Sequence, residues 1–287
     1  MIHPTLKSLG NAEHGDEGSA PAVVLLTGAD RLSLDSVAFS LLDGRPDAGM
    51  IAYDVRVDDA ASAGLSVVRR CLPPLGRGRA CDPTADVLGV RTGGMESLPV
   101  DECCLSCTVK HDLERQLGVW AESGVWRDGG AVGAETPAVL VMLPVGVEGV
   151  PIAQYLEDAF QLHEWGAGMR VAAIANAVEL DEFEERFYDD APLMLAGGLG
   201  GEAEDDGVFD ERSTGVVVSR LIHEATHVLE LPVIGRGCLA RHVDASGECM
   251  CRAIIRAIAA GGDGVVCEDA HEVTLDALVR GEATVDV

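Results

Sequence analysis

The sequence predicts an α/β domain with a mainly parallel sheet covered by helices on both faces. Three observations predict it. The runs Ala22-Val-Val-Leu-Leu-Thr-Gly28 and Ala138-Val-Leu-Val-Met-Leu143 are apolar almost throughout, as strands are when neither face meets water. Other segments repeat apolar residues every three or four positions, the signature of a helix with one buried face. The two kinds of segment alternate along the chain, as crossover helices between parallel strands require. At 287 residues, the chain hides about 75% of its unfolded surface, so its core needs no disulfides.

Residues 1–20 are polar and are expected to form a loose tail, with the domain occupying 21–287. Ala22–Gly28 is the first expected strand. Leu34, Val37, Ala38, Leu41 and Leu42 make a helical face, and Met50–Val57 is the second strand. Leu65–Leu72 is expected to be helical, stopped by Pro73 and Pro74. Residues 76–96, rich in Gly, Arg, Asp and Pro, are expected to be irregular. Val109, Leu113, Leu117 and Trp120 mark a helix, followed by the strand at Ala138–Leu143 and a helix over Ile152–Leu162. A strand at Val171–Ala177, an acidic helix at Leu180–Phe187 and a loop from Gly197 to Asp210 come next. The chain then reads as a helix (Val216–Glu224), a strand (Val228–Val233), a helix (Glu248–Ala260) and a short strand (Val265–Cys267).

Charge narrows the function. Lys plus Arg number 21 against 48 Asp plus Glu, a formal net charge of −27. Such a field repels nucleic acid and anionic membranes and attracts cations. The lysines are Lys7 and Lys110 alone. The first twenty residues lack the basic and apolar regions of a secretory signal, and no apolar run is long enough to span a bilayer. The expectation is a cytoplasmic protein whose nine cysteines are reduced thiols, some buried and some available to metal.

The most informative segment is Asp101-Glu-Cys-Cys-Leu-Ser-Cys-Thr-Val-Lys-His-Asp-Leu113. The pair Cys104 and Cys107 places two sulfurs on one turn, where both reach a single soft cation. Cys103 and His111 are candidate further ligands. Spacing alone leaves a redox-active pair or a merely buried one equally open.

Cys104-Leu-Ser-Cys107 with the trailing Thr-Val-Lys-His-Asp-Leu113 resembles the cysteine segment and helix start of the CobW-type GTPases. These are metallochaperone-like relatives of the HypB and UreG nickel-insertion proteins. Val23–Gly28 is similar to that family's first strand, Pro151-Ile-Ala-Gln-Tyr-Leu156 to its later helix start, and Val171–Ala177 to a following strand. The resemblance implies a three-layer P-loop GTPase-like fold without a separate C-terminal domain, and a zinc or other divalent metal site at Cys104, Cys107, Cys103 and His111. It implies degenerate phosphate-loop positions at Thr27, Gly28, Arg31, Ser33, Asp35 and Ser36. Arg31 and Ser33 stand where glycines belong, Leu34 where the phosphate-binding lysine belongs, and Asp35 where the Mg²⁺-binding threonine belongs. Asn176 replaces an aspartate, and Glu230-Leu-Pro falls where the guanine-reading segment is expected. The expectation is a metal chaperone or binding protein that does not hydrolyse GTP. It would serve a client metalloprotein or partner subunit, as a homo- or hetero-oligomer. An active GTP-binding metallochaperone is the alternative within the same family.

The rival reading is the string His223-Glu224-Ala-Thr-His227. On one helix, the two histidines would bind zinc and Glu224 would act as general base, as in metallopeptidases. The CobW-like register instead starts a strand at Ala225-Thr226, which would separate the imidazoles. Cys249-Met-Cys251, with Cys238 and His242 upstream, reads chiefly as a core-facing helix.

Overall fold

Strand β1, Ala22–Gly28, is buried along its whole length. It runs parallel to β5 (Ala138–Met142) on one side and to β6 (Arg170–Glu179) on the other. With neighbours on both edges and helices over both faces, nothing polar is needed, and this explains the apolar run. The computed structural model describes residues 21–43, 45, 47–74, 95–100, 104–126, 136–196, 208–232, 245–262 and 264–281.

The main sheet also contains β2 (Gly49–Val57), β3 (Leu65–Leu72), β4 (Met95–Pro99), β9 (His227–Leu231) and β10 (Val266–Asp269). Its order is β10-β9-β6-β1-β5-β2-β3-β4. All neighbours are parallel except β3, which runs antiparallel to β2 and β4. A separate hairpin pairs β7 (Pro192–Ala196) with β8 (Val208–Ser213).

Alternate residues of β1 feed opposite cores, as the two-residue period of a strand dictates. Ala22, Val24 and Leu26 pack with α1 (Arg31–Asp43) and α7 (Leu275–Arg280) through Leu34, Val37 and Leu278. Val23 and Leu25 share the opposite core with α2 (Leu105–Glu122) and α3 (Val150–Leu162), through Leu113, Leu117 and Leu156. A third cluster joins α5 (Thr214–Glu224) and α6 (Ala245–Ala259) to Val178 and Val228. The short helix α4 (Phe183–Phe187) contributes Phe183 to it. The expected α/β class, a mainly parallel sheet between helical layers, is the one observed.

Several local expectations are corrected. Leu65–Leu72 is strand β3, not a helix, and pairs residue by residue with β2 from Leu65↔Val57 to Leu72↔Met50. Leu65, Val67 and Cys71 line one core at a two-residue period. Their apolar pattern overlaps with helical spacing, and the β-branched Val67 and Val68 favour the strand. Residues 95 and 96 open β4, although the stretch was expected to be irregular; 76–94 lie outside the described residues. The acidic helix contracts to α4: β6 runs to Glu179, where it pairs with Leu231, and residues 180–182 form the bend that leads out of the strand before the helix starts at Phe183. The loop at 197–210 is partly strand, since β8 starts at Val208; 197–207 lie outside the described residues, as does the tail at 1–20. The sequence reading did not foresee β7 or α7.

Candidate functional site

A phosphate-binding loop needs several residues between strand and helix, so that backbone N–H groups converge on an anion. Here β1 ends at Gly28 and α1 begins at Arg31, leaving only Ala29 and Asp30 between them. The N–H of Ser33 donates to Oδ1 of Asp30 at 2.8 Å. A carboxylate therefore caps α1 and meets the positive end of its dipole. The space beside Gly28 is filled by Leu34: a Cβ on Gly28 would lie 3.0 Å from its Cδ2.

The remaining candidate phosphate positions do not converge. The Thr27 hydroxyl donates to the Ala175 carbonyl at 3.3 Å inside the core. The Arg31 guanidinium pairs with Asp35 at 2.9 Å and Asp54 at 3.7 Å. Ser33 is buried, with its Oγ unpartnered among the described residues, whereas Asp35 and Ser36 face solvent. Glu230, in the segment where guanine would be read, is buried and bonded to Arg252 at 2.8 Å.

The cysteine pair is assembled. Cys104 is the N-cap of α2 and Cys107 lies in that helix's first turn. Cys104 is exposed and Cys107 partly so, and their sulfurs are hydrogen-bonded at 3.0 Å. The Cys104 thiol is held below the ordinary value, chiefly by its hydrogen bond with the Cys107 side chain. The nearby backbone N–H groups of Cys107 and Ser106 and the Lys110 ammonium add to this, and partial burial opposes it. Two sulfurs bound to one zinc at about 2.3 Å in a tetrahedral arrangement stand about 3.8 Å apart. A small side-chain rotation spans that difference, so the donor set fits a soft divalent ion.

Cys103 lies outside the described residues. His111 is exposed and packs edge-on against Tyr155, ring centroids 5.8 Å apart. Among the described residues, no group of three or more His, Cys, Asp or Glu side chains is arranged to hold a metal. The described site is thus a two-sulfur site.

The His-Glu string breaks at the predicted place. Helix α5 ends at Glu224, Ala225 is extended (φ −67°, ψ 150°), and β9 begins at His227. His223 is exposed, while His227 is buried with Nδ1 2.9 Å from the Thr226 hydroxyl. Burial pulls the His227 imidazole below its ordinary value. The arrangement a zinc peptidase motif needs, two imidazoles one turn apart on one helix, is not formed.

Glu224 instead has a structural task the sequence reading missed. Gly149 starts α3 without a side chain to cap it, and Glu224 reaches across from α5. The N–H groups of Gly149 and Val150 donate to its carboxylate at 2.6 and 3.4 Å. Burial raises the Glu224 carboxyl to about 7 against these stabilising bonds. Glu148 raises it further and Arg220 opposes.

Farther along the same helix, a buried network ties α2 to the sheet. The Tyr53 hydroxyl donates to Asp112 at 2.9 Å, and Arg69 of β3 donates to the same carboxylate at 2.6 Å. Burial, then the Asp112 charge, pushes the Tyr53 phenol well up. The sequence carried a signal for this network: Asp112 interrupts the apolar face formed by Val109, Leu113 and Leu117.

No protein-family model and no curated protein matches the chain. Among solved structures it is similar to the crystal structure of a Zn(II)-bound YjiA GTPase from E. coli, at 10% identity and a TM-score of 0.34. The match covers 84% of this chain and 54% of that one, so this chain spans about half that protein's length. Among the described residues, no helix is long and apolar enough to cross a membrane. The described architecture is a three-layer α/β sheet with an exposed cysteine pair at a helix start.

Proposed function

We propose that this chain binds and hands over a divalent metal, zinc in the first instance, on a P-loop GTPase-like scaffold that no longer turns over nucleotide. The observation that carries the metal reading is the solvent-accessible pair of sulfurs 3.0 Å apart at Cys104 and Cys107. Cys104 and Cys107 bind as thiolates, so metal uptake releases their protons. A net charge of −27 concentrates cations near the surface. Zinc prefers four ligands, and two sulfurs leave positions for Cys103 or a client's donor, through which the ion passes by ligand exchange. A client metalloprotein or partner subunit is the recipient.

The nucleotide half of the reading rests on the capped start of α1. A charge-assisted phosphate contact contributes about 1.5–3 kcal/mol. Loss of both the lysine and the Mg²⁺-binding hydroxyl therefore weakens GTP by roughly two to four decades. The Asp30 carboxylate adds repulsion where phosphate would approach. The test is zinc titration of metal-stripped full-length protein by calorimetry, with GTP and Mg²⁺ titrated in parallel. Cys104→Ser and Cys107→Ser should each abolish stoichiometric zinc binding, whereas His223→Ala and His227→Ala leave it intact. GTP should give no saturable heat. Zinc retained by both cysteine variants would refute the metal site, and Mg²⁺-dependent GTP binding would refute the degenerate nucleotide site.

A further inference from the structure

We propose that Cys104 and Cys107 form a reversible dithiol–disulfide couple, with Cys104 as the attacking sulfur and Cys107 as the resolving one. The couple stands apart from the metal reading, although both use the same sulfurs. A disulfide requires S–S near 2.05 Å, and the observed 3.0 Å needs only about 1 Å of closure. One helical turn separates the residues, so side-chain rotation provides that closure without shifting α2.

Accessibility assigns the roles. Cys104 is exposed at the N-cap and meets a disulfide from solvent, while Cys107 sits behind it in the first turn, half-buried. The other described cysteines lack this combination. Cys71 is buried, and burial pushes its thiol up to about 11. Cys251 is buried against Ile255, and the neighbouring exposed Cys249 is two residues away, a spacing that does not bring side chains together on a helix. Burial raises the half-buried Cys267 as well.

The oxidant is a low-molecular-weight disulfide, R–S–S–R. The Cys104 thiolate attacks one of its sulfurs; the S–S bond breaks and R–S⁻ leaves with the electron pair. The Cys107 thiol then loses its proton and attacks Sγ of Cys104, breaking the mixed disulfide and expelling a second R–S⁻. The two leaving thiolates take up the protons given by the two cysteines. In sum, two protein thiols are oxidised to one disulfide, and R–S–S–R is reduced to two R–SH. Where the metal reading also holds, this step removes both thiolate ligands and releases the ion.

Full-length protein, stripped of metal with EDTA, should be equilibrated in mixtures of reduced and oxidised glutathione. Acid quenching, alkylation and peptide mapping then report the state of each cysteine. The expected result is a 104–107 disulfide in oxidising mixtures, fully reversed by dithiothreitol. Cys107→Ser should accumulate a glutathione adduct at Cys104, whereas Cys104→Ser should react at residue 107 about tenfold more slowly. Two unmodified thiols at 104 and 107 in oxidised glutathione would overturn the couple. Equal reaction rates in Cys104→Ser and wild type would overturn the assigned roles. Repeating the oxidation with equimolar zinc separates the two proposals. Disulfide formation unaffected by zinc keeps the couple and removes the metal site, disulfide formation suppressed by zinc supports both, and zinc binding with no disulfide even in the metal-free oxidising mixtures keeps the metal site and removes the couple.

Discussion

Replacing Glu224 by Gln should flatten the dependence of stability on pH. In the fold this carboxyl titrates near 7, raised first by burial, against an ordinary value of 4.5. Between those values the folded chain holds a proton that the unfolded chain releases. The stabilisation from this group is therefore fully present below about 4.5 and is lost as pH rises through 7. The difference corresponds to about 3 kcal/mol between pH 4.5 and pH 8. The charged and titratable groups facing it are Glu148, Arg212 and Arg220, which are ion-paired among themselves: Arg212 with Glu148 at 2.6 Å and Arg220 with Glu148 at 3.2 Å. Gln keeps an oxygen to accept the Gly149 N–H but does not titrate. Urea unfolding at pH 5, 6, 7 and 8 should show wild type losing stability toward pH 8 more steeply than Glu224→Gln, by up to that amount. Glu179 and Glu230 are also raised by burial, so the difference between the two proteins is the informative quantity. Parallel curves would refute the reasoning, because Glu224 would then titrate alike folded and unfolded.

Two further outcomes test the packing around the site. Asp112→Ala should cost about 1–3 kcal/mol in chemical unfolding, because it strands the buried Tyr53 hydroxyl and removes one of the two carboxylates paired with Arg69, which keeps Glu96. Gly149→Ala should cost about 1–3 kcal/mol, since its Cβ would stand 2.7 Å from Cγ2 of Ile174 and 3.2 Å from Cγ2 of Thr27; a thermal melt unchanged from wild type would show that α3 shifts freely.

Much of the α/β pattern was legible because burial on both faces leaves a plain mark. Val23, Leu25, Val139 and Val141 have no solvent-facing side, so their strands read as unbroken apolar runs. Helix α2 was equally clear from Val109, Leu113, Leu117 and Trp120. Where a segment touches two environments, the code is ambiguous. Leu65–Leu72 satisfies helical spacing and strand alternation together, and only its pairing with β2 selects the strand. The cysteine pair was visible as spacing, because residues three apart meet on any helix turn. Its sulfur contact and exposure were not.

The sequence by itself determined the acidic field, the layered α/β class and the residues that stand where a phosphate loop would be built. Tertiary structure decided which of those residues meet. It put Asp30 on the start of α1 and ended α5 between His223 and His227. It also carried the Glu224 carboxylate to Gly149, 75 residues away in the chain. Local propensities act over a few neighbouring residues, whereas a cap borrowed from another helix depends on how the layers pack.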